Sequence, residues 1–202
     1  MIDKANHYIP DEPELAHVGG NTIGGNSQTF YPFLWAWIVR HLGVKTVFDV
    51  GCGEGQAIKE FEFLGCNVSG LEGAPRNVRL SQYSFMHDLT KGPFVIADKN
   101  DLPLCDMVVP DLVWCCEVVG QIDIQYIDNV CKTLAQGKYL AMTNQLPDQQ
   151  GYHMVNCRPT EFWEALMIQY GMVVDRELTE ESKKYAGYYW AKTGRIYRKA
   201  QS

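Results

Sequence analysis

Residues 48–56 read FDVGCGEGQ, an apolar strand end and an Asp followed by Gly51, Gly53 and Gly55 at every second position. A turn with so little side chain, set between a strand and a helix, lets a ligand come close to its backbone, as nucleotide-approach turns of α/β proteins do. Three ligands compete for it. A phosphate loop needs Gly-x-x-x-x-Gly-Lys-Ser/Thr, and no such Lys follows. A dinucleotide turn needs Gly-x-Gly-x-x-Gly, whose third glycine packs helix on strand; here it comes one residue early and Gln56 stands in its place. What remains is Asp-x-Gly-x-Gly-x-Gly closing a first strand.

The rest of the chain supplies the frame for that turn. Strand patterns at 45–50, 66–72, 83–89, 111–119 and 138–146 alternate with helical ones at 55–65, 75–82, 124–137 and 159–171. Two closing strands are expected at 172–178 and 188–199. This order predicts an α/β fold: a doubly wound, mainly parallel seven-stranded Rossmann-like sheet with helices on both faces. Before it, FYPFLWAWIVRHLG (30–43) predicts a helix with Leu34, Trp37, Ile38 and Leu42 on its buried face and Gly43 as its C-cap. Residues 1–29 are polar and read as an irregular arm. No repeat, low-complexity tract or linker interrupts the chain, so one domain over 1–202 is expected, with 1–44 capping the site and 45–202 as the core.

Composition narrows the function classes. A net charge of −6, with no basic run beyond Lys183-Lys184, argues against a nucleic-acid partner, which is held by clustered cations on phosphates. The seven cysteines are odd in number and form no Cys-x-x-Cys, so neither a disulfide framework nor a zinc site is expected, and no metal is assigned. The start, MIDKANHYIPDE, lacks the apolar core of a signal peptide, and no apolar run reaches membrane-spanning length. A cytoplasmic setting follows as the expectation.

The turn resembles motif I of the class I S-adenosylmethionine-dependent methyltransferases. Its context strengthens the likeness: the second strand ends in Glu72 and the third in Asp88. A carboxylate at Glu72 can accept hydrogen bonds from both ribose hydroxyls. The resemblance implies that Asp88 meets the adenine amino group and the Leu89 N–H a ring nitrogen. It also implies cofactor contacts from Asp49, Gly51, Cys52, Gly53, Gly55 and Gly73, and carbonyls of Cys115 and Cys116 turned toward the cofactor's amino group. The cofactor expected is S-adenosylmethionine, leaving as S-adenosylhomocysteine. HVGGN (17–21), VFDVGCGEG (47–55), HDLTKGPF (87–94), DLVWCCE (111–117) and LPDQQGYHMVNCRP (146–159) together resemble small methyltransferase-domain proteins of phages and marine microbes, a resemblance that would place the chain in a host cytoplasm. Those proteins usually carry Glu-His near Gly120-Gln121 and a second His after Gly-Tyr-His; here Gln121 and Met154 stand there, so no role of those histidines carries over.

Methyl transfer from a sulfonium is an in-line displacement, and holding acceptor and methyl in line supplies much of the catalysis. A base is needed where the acceptor is a hydroxyl or a protonated amine. Sheet geometry places the acceptor beside residues 115–121 and 143–156. His153, in the loop after the fifth strand, is the first candidate base and His17, before Gly19-Gly20, the second. Glu117 either faces the site or caps the next helix. His41 and His87 read as structural and His7 as part of the arm, with alternation turning His87 away from Asp88. Trp37 and Trp163 read as core, while Tyr152 and Tyr8 are candidate pocket walls.

No Asn/Asp-Pro-Pro-aromatic turn follows the fourth strand and no Pro-Cys occurs, which removes the DNA amino- and C5-methylating patterns. The expected partner is a small-molecule or saccharide acceptor taking the methyl on O or N, with no nucleic acid and no membrane, and oligomeric state open. Two rivals stand beside it: a non-catalytic protein that only binds the adenosyl ligand, and an NAD-dependent oxidoreductase, which would bind NAD.

Overall fold

The structure, a computed structural model, describes residues 7–96 and 109–200. Near the N-terminus, β1 (His7–Tyr8) and β2 (Asn21–Thr22) form a two-stranded antiparallel ribbon. The remaining strands are β3 (Thr46–Val50), β4 (Asn67–Glu72), β5 (Ser84–Met86), β6 (Leu112–Cys115), β7 (Tyr139–Met142), β8 (Met172–Val174) and β9 (Arg195–Lys199). They make one seven-stranded sheet in the order β5-β4-β3-β6-β7-β9-β8, with β9 antiparallel to both of its neighbours and the other pairings parallel. This is the mainly parallel, doubly wound sheet that the alternation predicted.

Among the described residues, seven α-helices accompany the strands: α1 (Pro32–Leu42), α2 (Gln56–Phe63), α3 (Pro75–Val78), α4 (Ile127–Leu134), α5 (Thr160–Ile168), α6 (Arg176–Ser182) and α7 (Tyr188–Thr193). Alternation along each strand divides the core in two. Phe48, Val50, Val113, Cys115, Leu140 and Met142 pack with α4 and α5 on one face. Val47, Leu112, Trp114 and Ala141 pack with α1, α2 and α7 on the other. Strands buried on both faces need continuous apolar runs, which is what TVFDV and LVWC supply apart from Asp49.

α1 starts with Pro32 in its first turn and stops at Gly43, whose φ of 65° is left-handed and suits a residue without a Cβ. Its buried face is Leu34, Trp35 and Ile38, each contributing about 2–3 kcal/mol by leaving water. Trp37, expected in the core, is half-buried and stacks between His41 and Tyr185 instead. The expected strands at the C-terminus are shorter than their patterns. Asp175 accepts a hydrogen bond from the Leu178 N–H at 3.1 Å and so starts α6 where the pattern 172–178 ran on as strand. Tyr188–Thr193 is helical, and only Arg195–Lys199 past Gly194 is strand. Likewise β6 stops at Cys115 and β7 at Met142, freeing the residues beyond them for a site.

The chain leaves β3 toward β4 and β5, then returns to β6 on the other side of β3. That reversal opens a crevice past the C-terminal ends of β3 and β6, the place where such sheets receive ligands.

Candidate functional site

The crevice is a cavity of about 580 Å³. Its walls take Asp49, Gly51, Cys52 and Gly53 from the β3 end, Glu72 and Gly73 from the β4 end, and Asp88 and Leu89 from beyond β5. Cys116 and Glu117 follow β6, and His17 and His153 close the opposite side. Two residues of the expected set are not on the wall. Gly55 is the cap of α2, and Cys115 turns its thiol into the α4–α5 core while its carbonyl accepts the Thr143 N–H at 3.1 Å. Gly51 is required by close approach: a Cβ there would sit 2.3 Å from a methyl of Val118, at a φ of 75°.

Glu72 is fixed by backbone. The Gly53 N–H donates to its Oε2 and the Ala74 N–H to its Oε1, both at 2.8 Å. Each oxygen keeps lone-pair capacity for a ligand hydroxyl. Burial raises the Glu72 carboxyl above the ordinary range in spite of those donors, and burial together with Glu72 raises Asp49 well above its own. Two buried carboxyls with no Lys or Arg in the turn favour a cationic ligand over a phosphorylated one. A pyrophosphate would set like charges together, whereas a sulfonium bearing an amino group would complement them. The residues present therefore suit S-adenosylmethionine.

Asp88 has partners already. The His17 Nε2 donates to its Oδ2 at 2.8 Å and the Thr90 N–H to its Oδ1 at 2.9 Å. Burial alone would raise its carboxyl, but these hydrogen bonds outweigh it and hold the group below the usual carboxylate range. His87 also lines the cavity, contrary to the alternation argument, because β5 ends at Met86 and strand geometry no longer applies. Its Nε2 donates to the Gly92 carbonyl at 2.9 Å.

The N-terminal segment is an ordered strap from His7 onward rather than an irregular arm. Its six-residue 3-10 turn, Pro13–Val18, carries His17 to Asp88, and the Tyr152 hydroxyl donates to the Ala16 carbonyl at 2.7 Å. Asn21 Nδ2 donates to Asn77 Oδ1 at 3.3 Å, and the Gly24 N–H to Glu54 Oε2 at 3.1 Å. Tyr152 lines the cavity as expected, whereas Tyr8 does not and lies under the Arg76 guanidinium, 5.4 Å from its ring centre.

Glu117 dominates the other half. It does not cap a helix: it sits in the left-handed region at φ 59°, uncommon for a residue with a Cβ, with its carboxyl on the cavity. The Thr143 hydroxyl donates to Oε1 at 2.9 Å, and Gln149 Nε2 donates to Oε2 at 2.5 Å. Burial holds this carboxyl above the ordinary glutamate range, although both hydrogen bonds favour its charged form. His153 is also left-handed, at φ 51°. Burial, followed by the neighbouring His17, lowers its imidazole below the usual value, with Asp123 opposing. Behind Glu117, Trp114 reaches the wall and stacks on Trp190 at 5.1 Å between ring centres.

The backbone of Gly120 ties this half together. Its N–H donates to Gln145 Oε1 at 2.7 Å, and its carbonyl accepts the N–H groups of Val155 and Asn156 at 3.0 and 2.9 Å. Thr143 and Gln149 fall inside the stretch 143–156 expected beside the acceptor, while Asp123, which also lines the cavity, lies outside both expected stretches. One signal was present: Thr143-Asn144-Gln145, a polar run directly after the apolar YLAM, is almost fully buried.

Comparison with known proteins agrees with this geometry. Residues 48–142 match the methyltransferase domain family. Over those residues the chain is a class I S-adenosylmethionine-dependent methyltransferase domain. Solved structures share the fold of this methyltransferase. A TehB-like S-adenosylmethionine-dependent methyltransferase from Corynebacterium glutamicum aligns at TM-score 0.60 and 10% identity, over 88% of this chain and 90% of that one. The sugar N-methyltransferase KedS8 from Streptoalloteichus aligns at 0.62 and 11%, over 87% and 90%. Magnesium protoporphyrin IX methyltransferase from Synechocystis, with S-adenosylmethionine bound, aligns at 0.55 and 17%, over 84% and 76%. At such identities the likeness is one of fold. No curated protein is detectably similar in sequence. The cofactor of this methyltransferase is S-adenosylmethionine, and no described helix is long and apolar enough to cross a membrane.

Proposed function

We propose that this methyltransferase acts on a nitrogen or oxygen of a small-molecule or saccharide acceptor, with Glu117 as the base. When bound, the cofactor supplies an electrophilic methyl on a sulfonium sulfur. Glu72 would receive the ribose hydroxyls, and Asp88 with the Leu89 N–H the adenine edge. Gly51, Cys52, Gly53 and Gly73 would give backbone approach, and Asp49 would face the cationic end. The strap of residues 7–29 would cap the bound cofactor, with His17 serving as its latch on Asp88.

The observation that carries the base assignment is Glu117 itself: a strained backbone, a buried carboxyl on the cavity, and two hydrogen bonds that aim it. Backbone strain of this kind costs about 1–3 kcal/mol and persists where a site needs the side chain there. A carboxyl raised toward neutrality is matched to accepting a proton. His153 and His17 lie close enough to interact with each other, and with His17 engaged by Asp88 the second candidate base is His153. The saccharide option draws support from the amides of Gln121, Gln149 and Gln150 and the rings of Tyr152 and Tyr189 around the cavity.

A second reading has a specific observation behind it. Gln121 and Met154 both line the cavity, so an acceptor site that binds ligand without turning it over is the rival. Titration with S-adenosylmethionine and S-adenosylhomocysteine, then label transfer from the methyl across an acceptor panel, tests both. Binding with transfer to at least one acceptor supports the enzyme. Binding of both ligands with no transfer to any acceptor supports the binding protein.

A further inference from the structure

Charge on the cavity wall is one-sided. Among the described residues that line it, the carboxyls are Asp49, Glu72, Asp88, Glu117 and Asp123, while the only Lys or Arg is Lys91, exposed in the turn after Asp88. The first three belong to the cofactor half. Glu117 and Asp123 are left to the acceptor, and no described cation faces them there. Two arginines off the cavity wall are engaged elsewhere: Arg158 donates to Asn156 Oδ1 at 3.2 Å and lies over the Phe162 ring, and Arg76 pairs with Glu54 at 2.6 Å.

We infer that the acceptor is an amine, bound as its ammonium form against Glu117 and Asp123, and that phosphorylated or carboxylated molecules are excluded. This rests on the methyltransferase reading above and names the class of acceptor that site takes. An anionic acceptor would bring a charge next to two carboxylates with nothing to neutralise it, and its desolvation would go uncompensated. An ammonium has three donors, and the Glu117 oxygens, each already holding one hydrogen bond from Thr143 or Gln149, have lone pairs left to accept them.

Glu117 then does the proton chemistry. The proton passes from the ammonium nitrogen to a Glu117 oxygen, freeing the nitrogen lone pair. That lone pair forms the new bond to the methyl carbon, and the carbon–sulfur electron pair stays with sulfur. The positive charge moves from sulfur to the methylated nitrogen, which leaves as an ammonium with its remaining hydrogens, and Glu117 releases the proton it took to solvent as the product departs. The raised affinity of Glu117 for protons, caused by burial, favours the first transfer. His153, held toward its neutral form by the same burial, adds no opposing charge.

The test uses ligand pairs of matched shape and opposite charge, added to the full chain saturated with S-adenosylhomocysteine: methylamine and acetate, benzylamine and benzoate, glucosamine and glucuronate. Binding is read by saturation-transfer NMR and by titration. The amine of at least one pair is expected to bind about tenfold or more tighter than its acid partner, and Glu117→Gln to remove that preference while S-adenosylhomocysteine affinity is kept. Asp123→Asn is expected to weaken the preference less. Acids binding as well as amines, no amine binding at all, or a preference unchanged in Glu117→Gln each overturns the inference. Failure of S-adenosylhomocysteine to bind in the first place would instead strike the methyltransferase reading.

Discussion

The two halves of the cavity enter the left-handed backbone region by opposite means. In the cofactor half, the turn after β3 uses glycine: Gly51, Gly53 and Gly55 have φ of 75°, 56° and 80°. In the acceptor half the same region holds Glu117 and His153, at 59° and 51°. Glycine adopts such angles without a steric penalty, so the first half gives up side chains for closeness of backbone. The second keeps its side chains and carries strain for them. Where a ligand must only be approached, glycine suffices; where a group must act on it, the side chain is retained at some loss of stability.

That contrast can be broken most directly at Glu117. Glu117→Gln keeps the shape and removes the base, and turnover should fall by roughly 10²–10⁴-fold. Cofactor affinity, measured by titration, should stay within about threefold, since Glu117 forms none of the expected ribose or adenine contacts. Comparable losses in both quantities would show that the halves are not separable. Glu72→Ala is the mirror experiment: it should weaken S-adenosylhomocysteine binding by about 100-fold, near 3 kcal/mol, by removing hydrogen bonds to a charged group. The far-UV circular dichroism should hold, because the Glu72 side chain anchors loop amides and no strand pairing.

The pH profile gives a smaller but sharper comparison. Turnover needs the Glu117 carboxylate, so it should fall as pH drops through a value above the ordinary glutamate pKa of about 4.3. The stability sign runs the other way. Burial penalises the charged form, so the folded state is favoured below the unfolded pKa and loses that advantage as pH rises through the raised folded one. Glu117→Gly relieves both this penalty and the backbone strain, and should gain about 1 kcal/mol, or some 2–4 °C in melting temperature. Thermal melts should show the gain to be larger at neutral pH than near about pH 4. An equal gain at both pH values would leave strain as its sole source.

The same division governs what sequence alone reveals. Asp49 through Gly55 lie within one short stretch, and Glu72 and Asp88 at or just past successive strand ends, so spacing and topology bring together the residues proposed to hold the cofactor. The acceptor half depends on pairs far apart in the chain: Glu117 with Thr143 and Gln149, and Ala16 with Tyr152. No local period encodes such contacts. The strand ends fall short of their sequence patterns for a related reason. TNQL and EVV continue apolar or strand-like patterns, yet tertiary packing turns them into loops that hold the site. YYWAK reads as strand by its aromatics but folds as α7, since Trp190 completes the buried cluster with Trp114 and Tyr31.

The stacked pair of Trp114 and Trp190 gives the protein an optical property. Trp114 alone of the described tryptophans borders the cavity, while Trp35 and Trp163 are enclosed in the two cores. Emission excited at the stack is therefore expected to report on the floor of the binding chamber. A ligand that displaces water there would shift the colour and yield of that emission, so the unlabelled protein reports its own filling.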